Sequence, residues 1–184
     1  MSEAGPLADV VGNDCSILFC GINPGIMSGT TGYHFARPGN RFWKALALSG
    51  LTDRVLQPNE QSLLPSYGLG ITNLVSRVSA TAKEVSRAEF VAGGIELRER
   101  VARYKPTVLA VLGLGAWRIA IDRHAELGRQ AVPFAGATLF VLPNPSGLQA
   151  KYQLPDLATM FAALAMARDE EAGAPRPPNS TTDR

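Results

Sequence analysis

The sequence predicts an α/β protein, a three-layer α/β/α sandwich around a central, mainly parallel sheet. Three observations carry that expectation. Short apolar runs at 15–20 (CSILFC), 107–112 (TVLAVL) and 138–142 (TLFVL) have the length and continuous hydrophobicity of strands buried on both faces. Segments with apolar residues at helical spacing lie between and after them. Strands that alternate with helices pair in parallel, because each helix carries the chain back across the sheet.

The first run ends at Gly21. A helix is expected over 40–49, with Phe42, Ala45, Leu46 and Ser49 on one stripe and Gly50 as its stop. Ser86-Arg-Ala-Glu89 is a capping box, in which the hydroxyl and the carboxylate satisfy each other's free backbone donors. The helix that it opens places Phe90, Leu97, Val101 and Tyr104 on one stripe and ends before Pro106. The second run leads into a helix expected from about 115 to 123. Pro155-Asp156 opens a last helix, with Leu157, Met160, Phe161 and Leu164 turned inward. Residues 1–13 lack periodicity and read as a flexible N-terminus. The single domain is expected at 14–168. The segment 169–184 has three prolines and no large apolar side chain, and reads as a disordered tail.

Composition narrows the function classes. The 184 residues are 46% hydrophobic and 18% charged, as in a globular protein. Eighteen basic and sixteen acidic side chains give a net charge of +2, which excludes a histone-like tail but leaves room for a local basic patch. Arginine outnumbers lysine 14 to 4, a bias toward bidentate contacts with phosphate or carboxylate. Two cysteines and two histidines are too few for a structural zinc site or a four-iron cluster, so no metal is expected. Cys15 and Cys20, five apart in one strand, are expected on opposite faces as buried thiols. The N-terminus lacks a basic start followed by an apolar core, and no apolar run reaches membrane-spanning length. A soluble, cytoplasmic monomer is the expectation.

Ligands of parallel sheets bind at the carboxyl ends of strands. Gly21-Ile-Asn-Pro-Gly25 follows the first strand and Pro143-Asn-Pro-Ser-Gly-Leu148 the third, each placing an amide beside a stiff proline. Either alone is an ordinary turn; two at one sheet edge outline a site.

GINPG, GYHFARPGNRFWK, GITNLVSR and LPNPSGL, in this order, resemble the mismatch-specific uracil and thymine DNA glycosylases of the uracil-DNA glycosylase superfamily. The resemblance spans about 17–167. It implies a glycosylase fold, DNA carrying G·U or related mismatches as partner, no cofactor, and excision of a flipped uracil, thymine or other damaged pyrimidine. Cleaving an N-glycosidic bond builds positive charge on the sugar and negative charge on the base, which polar groups and an oriented water can stabilise without a metal. By resemblance, Asn23 is the water-positioning amide and Phe35 stacks on the flipped base. Ile22 and Phe35 offer backbone groups to the uracil edge, and Ser28 lies near its 5-position. His34 is a candidate to orient the water or touch phosphate, although a lone histidine is more often at the surface. Asn144 and Ser146 would sit near the flipped nucleotide, with Ser146 on a phosphate. Gly147, Leu148 and Gln149 form the loop that enters the duplex, Leu148 filling the space that the base leaves.

Several positions depart from parts of the family. Asn73 stands where bacterial mismatch enzymes carry lysine, and with His34 it is more similar to the eukaryotic thymine glycosylases. Gln149-Ala150 replaces a Ser-Arg pair after the wedge leucine. The archetypal uracil glycosylases carry Asp and His where this chain has Asn23 and Asn144; Glu84, in the loop 79–86, is a candidate to supply the missing base. Arg37, Arg41, Lys44, Arg77 and Lys151 flank the motifs, and several of them are expected to line one face and contact phosphates. Two rival readings are a nucleotide-binding enzyme on Gly113-Leu-Gly115, which lacks a third glycine at Arg118, and a DNA lesion binder without catalysis.

Overall fold

The computed structural model describes residues 4–173. Five strands form one sheet: β1 (Ile17–Gly21), β2 (Leu69–Asn73), β3 (Val108–Leu112), β4 (Gly128–Arg129) and β5 (Thr138–Leu142). Their order is β2-β1-β3-β5-β4. The first four in that order are parallel, and β4 is an antiparallel edge. The chain leaves β1 toward β2 on one side and then returns to β3 on the other. This reversal opens a crevice at the carboxyl ends of β1 and β3, where open α/β sheets bind ligands.

The residues of β1 alternate between two cores. Ile17 and Phe19 face α2 (Phe42–Leu48) and α5 (Leu154–Gly173), packing with Phe42, Leu46, Leu157 and Phe161. Leu18 and Cys20 face α3 (Arg87–Tyr104) and α4 (Leu114–Ala120), packing with Phe90, Leu97 and Trp117. A short helix α1 (Ile26–Thr31) follows β1, and a 3-10 helix spans Pro58–Tyr67. The expected three-layer sandwich is therefore present. The capping box at Ser86 is formed as read, with Glu89 N donating to Ser86 Oγ over 3.2 Å and Ser86 N to Glu89 Oε2 over 2.8 Å.

Several expectations need correction. First, β2 was read only as a motif, because Gly70 weakens its strand signal; in the fold its missing side chain leaves room for Cys15 and the Val10 carbonyl. Second, Cys15 and Cys20 share one core cluster instead of pointing to opposite faces. The strand begins only at Ile17, so the alternation does not extend back to Cys15. Burial pushes both thiols up to about 12, which keeps them protonated at neutral pH.

Third, the second half of the segment 1–13 is fastened to the fold. Val10 and Ile71 exchange backbone hydrogen bonds of 2.9 and 2.8 Å. Asp9 accepts from Thr72 Oγ1 at 2.7 Å and from the Tyr104 hydroxyl at 2.8 Å, and Arg100 donates to Thr72 Oγ1 at 2.7 Å. Fourth, α5 continues through Gly173, so the first residues of the expected tail are helical; the rest of that tail, 174–184, lies outside the described residues. α4 ends at Ala120, short of the expected 123. Among the described residues no helix is long and apolar enough to cross a membrane.

Candidate active site

The loops after β1, β2 and β5 enclose a cavity of about 1050 Å³ at the carboxyl edge of the sheet. Ile22, Asn23, Ser28, His34, Phe35, Asn73, Asn144, Ser146, Leu148 and Gln149 all line it, so ten of the eleven residues expected at the site converge there. Gly147 is in the same loop but is absent from the lining. A second hollow of about 690 Å³ adjoins it, with Ile22, Asn144 and Gln149 in both walls.

Asn23 is two residues past the end of β1, and its amide nitrogen is fully committed. Nδ2 donates to Ser79 Oγ at 2.8 Å, to the Arg77 carbonyl at 3.0 Å and to the Pro24 carbonyl at 3.2 Å. Ser79 is buried, and its hydroxyl donates onward to the Thr81 carbonyl at 2.7 Å. Its oxygen is thereby left to accept from Asn23. Three acceptors around one end of an amide settle which end is nitrogen. The opposite end, Oδ1, is the acceptor left for a molecule in the cavity.

His34 is 2% exposed and lines the cavity, unlike the commoner surface histidine. Its Nε2 is 3.0 Å from the Ala8 carbonyl. A carbonyl only accepts, so Nε2 carries the proton and Nδ1 accepts from Asn73 Nδ2 at 3.3 Å. Burial lowers the imidazole pKa and favours this neutral form. Both ring nitrogens are engaged within the protein, and the histidine orients Asn73. The oxygen of that amide occupies the space over Gly21, where a Cβ would lie 2.5 Å from it.

Phe35 has a left-handed backbone, φ 52°, unusual for a bulky residue. Its ring stacks on Phe42, with centroids 4.1 Å apart and planes 26° from parallel, and forms a flat apolar wall of the cavity. The Ser28 hydroxyl, also buried, accepts from Ala36 N at 3.2 Å. The Ile22 carbonyl is held by Val75 N at 2.9 Å. On the opposite side, Asn144 Oδ1 accepts from Ser146 N at 3.0 Å, and Ser146 Oγ from Leu148 N at 3.4 Å. These two turns present Leu148 to solvent with 70% of its surface exposed.

A profile of the uracil DNA glycosylase superfamily matches residues 9–166. The chain belongs to that superfamily. A solved NMR structure, described as a candidate uracil DNA glycosylase from Methanosarcina acetivorans, has a similar fold, with a TM-score of 0.58. The two are 19% identical over 88% of this chain and 98% of that one. At that identity the likeness concerns the fold.

Within this superfamily member, several flanking residues have other positions than expected. Arg77 pairs with Glu89 at 2.5 Å and donates to the Glu84 carbonyl at 2.6 Å. The Arg77 hydrogen bond, helped by the Ser86 backbone, holds the Glu89 carboxyl down at about 2. Arg41 is bound to loop carbonyls. Most of the guanidinium donors of both are engaged within the protein, which disfavours them among the several cations expected to reach phosphate. Arg37, Lys44 and Lys151 remain exposed. Glu84 is also corrected as a candidate base: Oε1 accepts from Thr81 N at 2.9 Å in a capping box, and the residue is not in the cavity wall. Gly113 and Gly115 do stand at the start of a helix, where the Ile22 side chain packs against Gly113 and a Cβ would lie 2.6 Å from it.

Ser79 was missed. A serine in a polar loop has no distinguishing signal in a single sequence, since its partner is 56 residues away. Ala8 was missed for the same reason: its contribution is a backbone carbonyl.

Proposed function

We propose that this protein is a monofunctional DNA glycosylase of the mismatch-directed uracil and thymine branch. It takes uracil, flipped from a G·U pair in double-stranded DNA, and hydrolyses its N-glycosidic bond to leave an abasic site. The observation that carries this reading is the locked amide of Asn23. Its nitrogen is held by the protein, which leaves the oxygen as the acceptor for a molecule in the cavity that Asn23 lines, at the switch point of the sheet, in a chain of this superfamily.

Asn23 Oδ1 accepts a hydrogen bond from a water and holds it below the sugar. An amide does not take a proton near neutral pH, so bond breaking runs ahead of water attack through a cation-like sugar. The base lies along Phe35, whose ring Phe42 keeps from turning. Asn73, aimed by His34, faces the polar edge of the base, and Ser28 lies beside its 5-position. Holding the departing base in hydrogen bonds stabilises the negative charge that it acquires. Outside the cavity Leu148 occupies the vacated position in the stack, and Ser146 and Asn144 shape the turn that carries it. Exposed Arg37, Lys44 and Lys151 attract the phosphates, which makes binding weaken with salt.

The test is a gel assay. A labelled duplex with one G·U pair is incubated with the protein, then treated with alkali, which cuts at abasic sites. Strand scission confined to the uracil is the expected result. Tight binding of the duplex without scission would make the protein a lesion binder and overturn the enzymatic reading.

A further inference from the structure

The loop 143–152 has little to hold it from within. Its internal hydrogen bonds are the two turns at Asn144 and Ser146 and one from Gln149 N to the Ser146 carbonyl at 2.9 Å. Its outer half, residues 147–151, is exposed. Polar contacts of that kind, open to water, are individually weak. From outside, Gln153 Nε2 donates to the Ala150 carbonyl at 2.6 Å, but most of the grip comes from one side chain, that of Arg41.

Arg41, at the start of α2, donates to four carbonyls of this loop. Its Nη2 reaches the Ser146 and Gln149 carbonyls at 2.7 and 2.8 Å, Nε reaches Pro145 at 3.3 Å, and Nη1 reaches Tyr152. Its backbone N–H adds a bond of 3.0 Å to Pro145. These acceptors bracket Leu148 on both sides in sequence. Close packing reinforces the joint: a Cβ on Gly147 would lie 2.8 Å from the Gly39 carbonyl, so only glycine permits this approach.

We infer that Arg41 is a positioning residue that braces the wedge loop, rather than a phosphate ligand. The inference rests on the glycosylase reading for its kinetic consequences. A guanidinium suits the task because it has five donors in a rigid plane, no acceptor and a permanent charge. Lysine offers a single flexible centre that cannot span carbonyls at four positions. The same residue ends the segment that carries His34 and Phe35. The brace therefore fixes the distance between the group that enters the duplex and the wall that receives the base. Flipping and base capture then occur on one rigid piece.

The experiment uses Arg41→Gln and Arg41→Lys in the full chain, with melting temperature as the folding control. Amide hydrogen exchange, measured without DNA, is expected to rise at Leu148 and Gln149 by about tenfold or more, the scale of losing charge-assisted hydrogen bonds. Single-turnover excision from a G·U duplex should fall about 10- to 100-fold, while excision from a single-stranded uracil oligonucleotide stays within about threefold, since no stack has to be opened. In a Leu148→Ala background the Arg41 substitution should add little, because the group being positioned is gone. Binding to the duplex should keep its salt dependence. A slope smaller by about 0.9 would make Arg41 a phosphate ligand and overturn the inference. Unchanged exchange in the loop would overturn it too, as would equal losses on both substrates. If the wild-type protein excises from neither substrate, the glycosylase reading fails, and the exchange measurement alone decides whether Arg41 holds the loop.

Discussion

The two loops that make the site are built in opposite ways. The turn at Asn23 sits against the sheet, and its amide is gripped directly, its two N–H groups donating among three acceptors. The turn at Leu148 projects from the surface, and its leucine touches solvent; the grip is on the loop backbone through Arg41. One arrangement fixes an atom and the other fixes a path. An atom that has to meet developing charge gains from being fixed to fractions of an ångström. On the proposed glycosylase reading, a wedge that has to enter varied duplex sequences needs a set direction and a side chain with its rotamers free.

The sharpest way to break this contrast is Asn23→Ala. Single-turnover excision of uracil from a G·U duplex, at equal occupancy, should fall by roughly 10²–10³, the usual loss for one preorganised polar group. Melting temperature and DNA affinity should hardly change. Rates that agree within a few-fold would make Asn23 a turn residue. Leu148→Ala should cost about tenfold on duplex DNA, the scale of one buried leucine side chain, and much less on single strands. Equal loss on both would assign Leu148 to the scaffold. Ser79→Ala asks whether the grip on Asn23 matters beyond its presence. Removing one neutral hydrogen bond predicts a loss of about three- to tenfold, restored by Ser79→Thr, which keeps the hydroxyl.

The smallest effect concerns His34. Its folded pKa lies below that of the unfolded chain, because burial disfavours the imidazolium. Below the ordinary histidine range the unfolded state binds a proton that the folded state refuses, so stability is lost as pH falls. Above about 6.5 the contribution is complete and flat. The slope from this group is at most about 1.4 kcal/mol per pH unit. Denaturant titrations of wild type and His34→Gln between pH 5 and 8, in steps of roughly one unit, should show that slope in the wild type alone. Parallel curves would mean that the ring titrates freely.

The sheet and its layers were legible because buried strands and amphipathic helices leave periodic traces, as at 107–112 and along Phe90, Leu97 and Val101. The loops of Asn23 and Asn144 were legible for a different reason: GINPG and LPNPSGL follow strands, and strand ends are where such sheets place ligands. Ser28, His34, Phe35 and Asn73 were legible only through the resemblance to a glycosylase family. What stayed hidden was long-range partnership. Arg41 and Arg77 read as free cations because nothing near them in sequence reveals the carbonyls 104 to 111 residues away or the carboxylate 12 away that take their donors. Ala8 fixes the tautomer of His34 through a backbone atom, and every residue has that atom. β2 hid behind Gly70, whose vacancy is filled by parts of the chain that a local reading cannot see.

The four parallel strands are each five residues long and run in step. Gly21 is level with Asn73, Cys20 with Val111, and Leu112 with Leu142. The sheet thus works as a ruler: its upper rim is a straight line three strand spacings wide, about 14 Å. Asn23 and Asn144 each stand two residues beyond that line. Counting, more than contact, sets the height of the two amides. One residue inserted into β1 would raise the Asn23 turn by about 3.3 Å, farther than a hydrogen bond stretches, and would exchange Phe19 and Cys20 between the two cores. Substitutions inside these strands are a matter of stability, whereas a single insertion or deletion would put the Asn23 amide out of gauge.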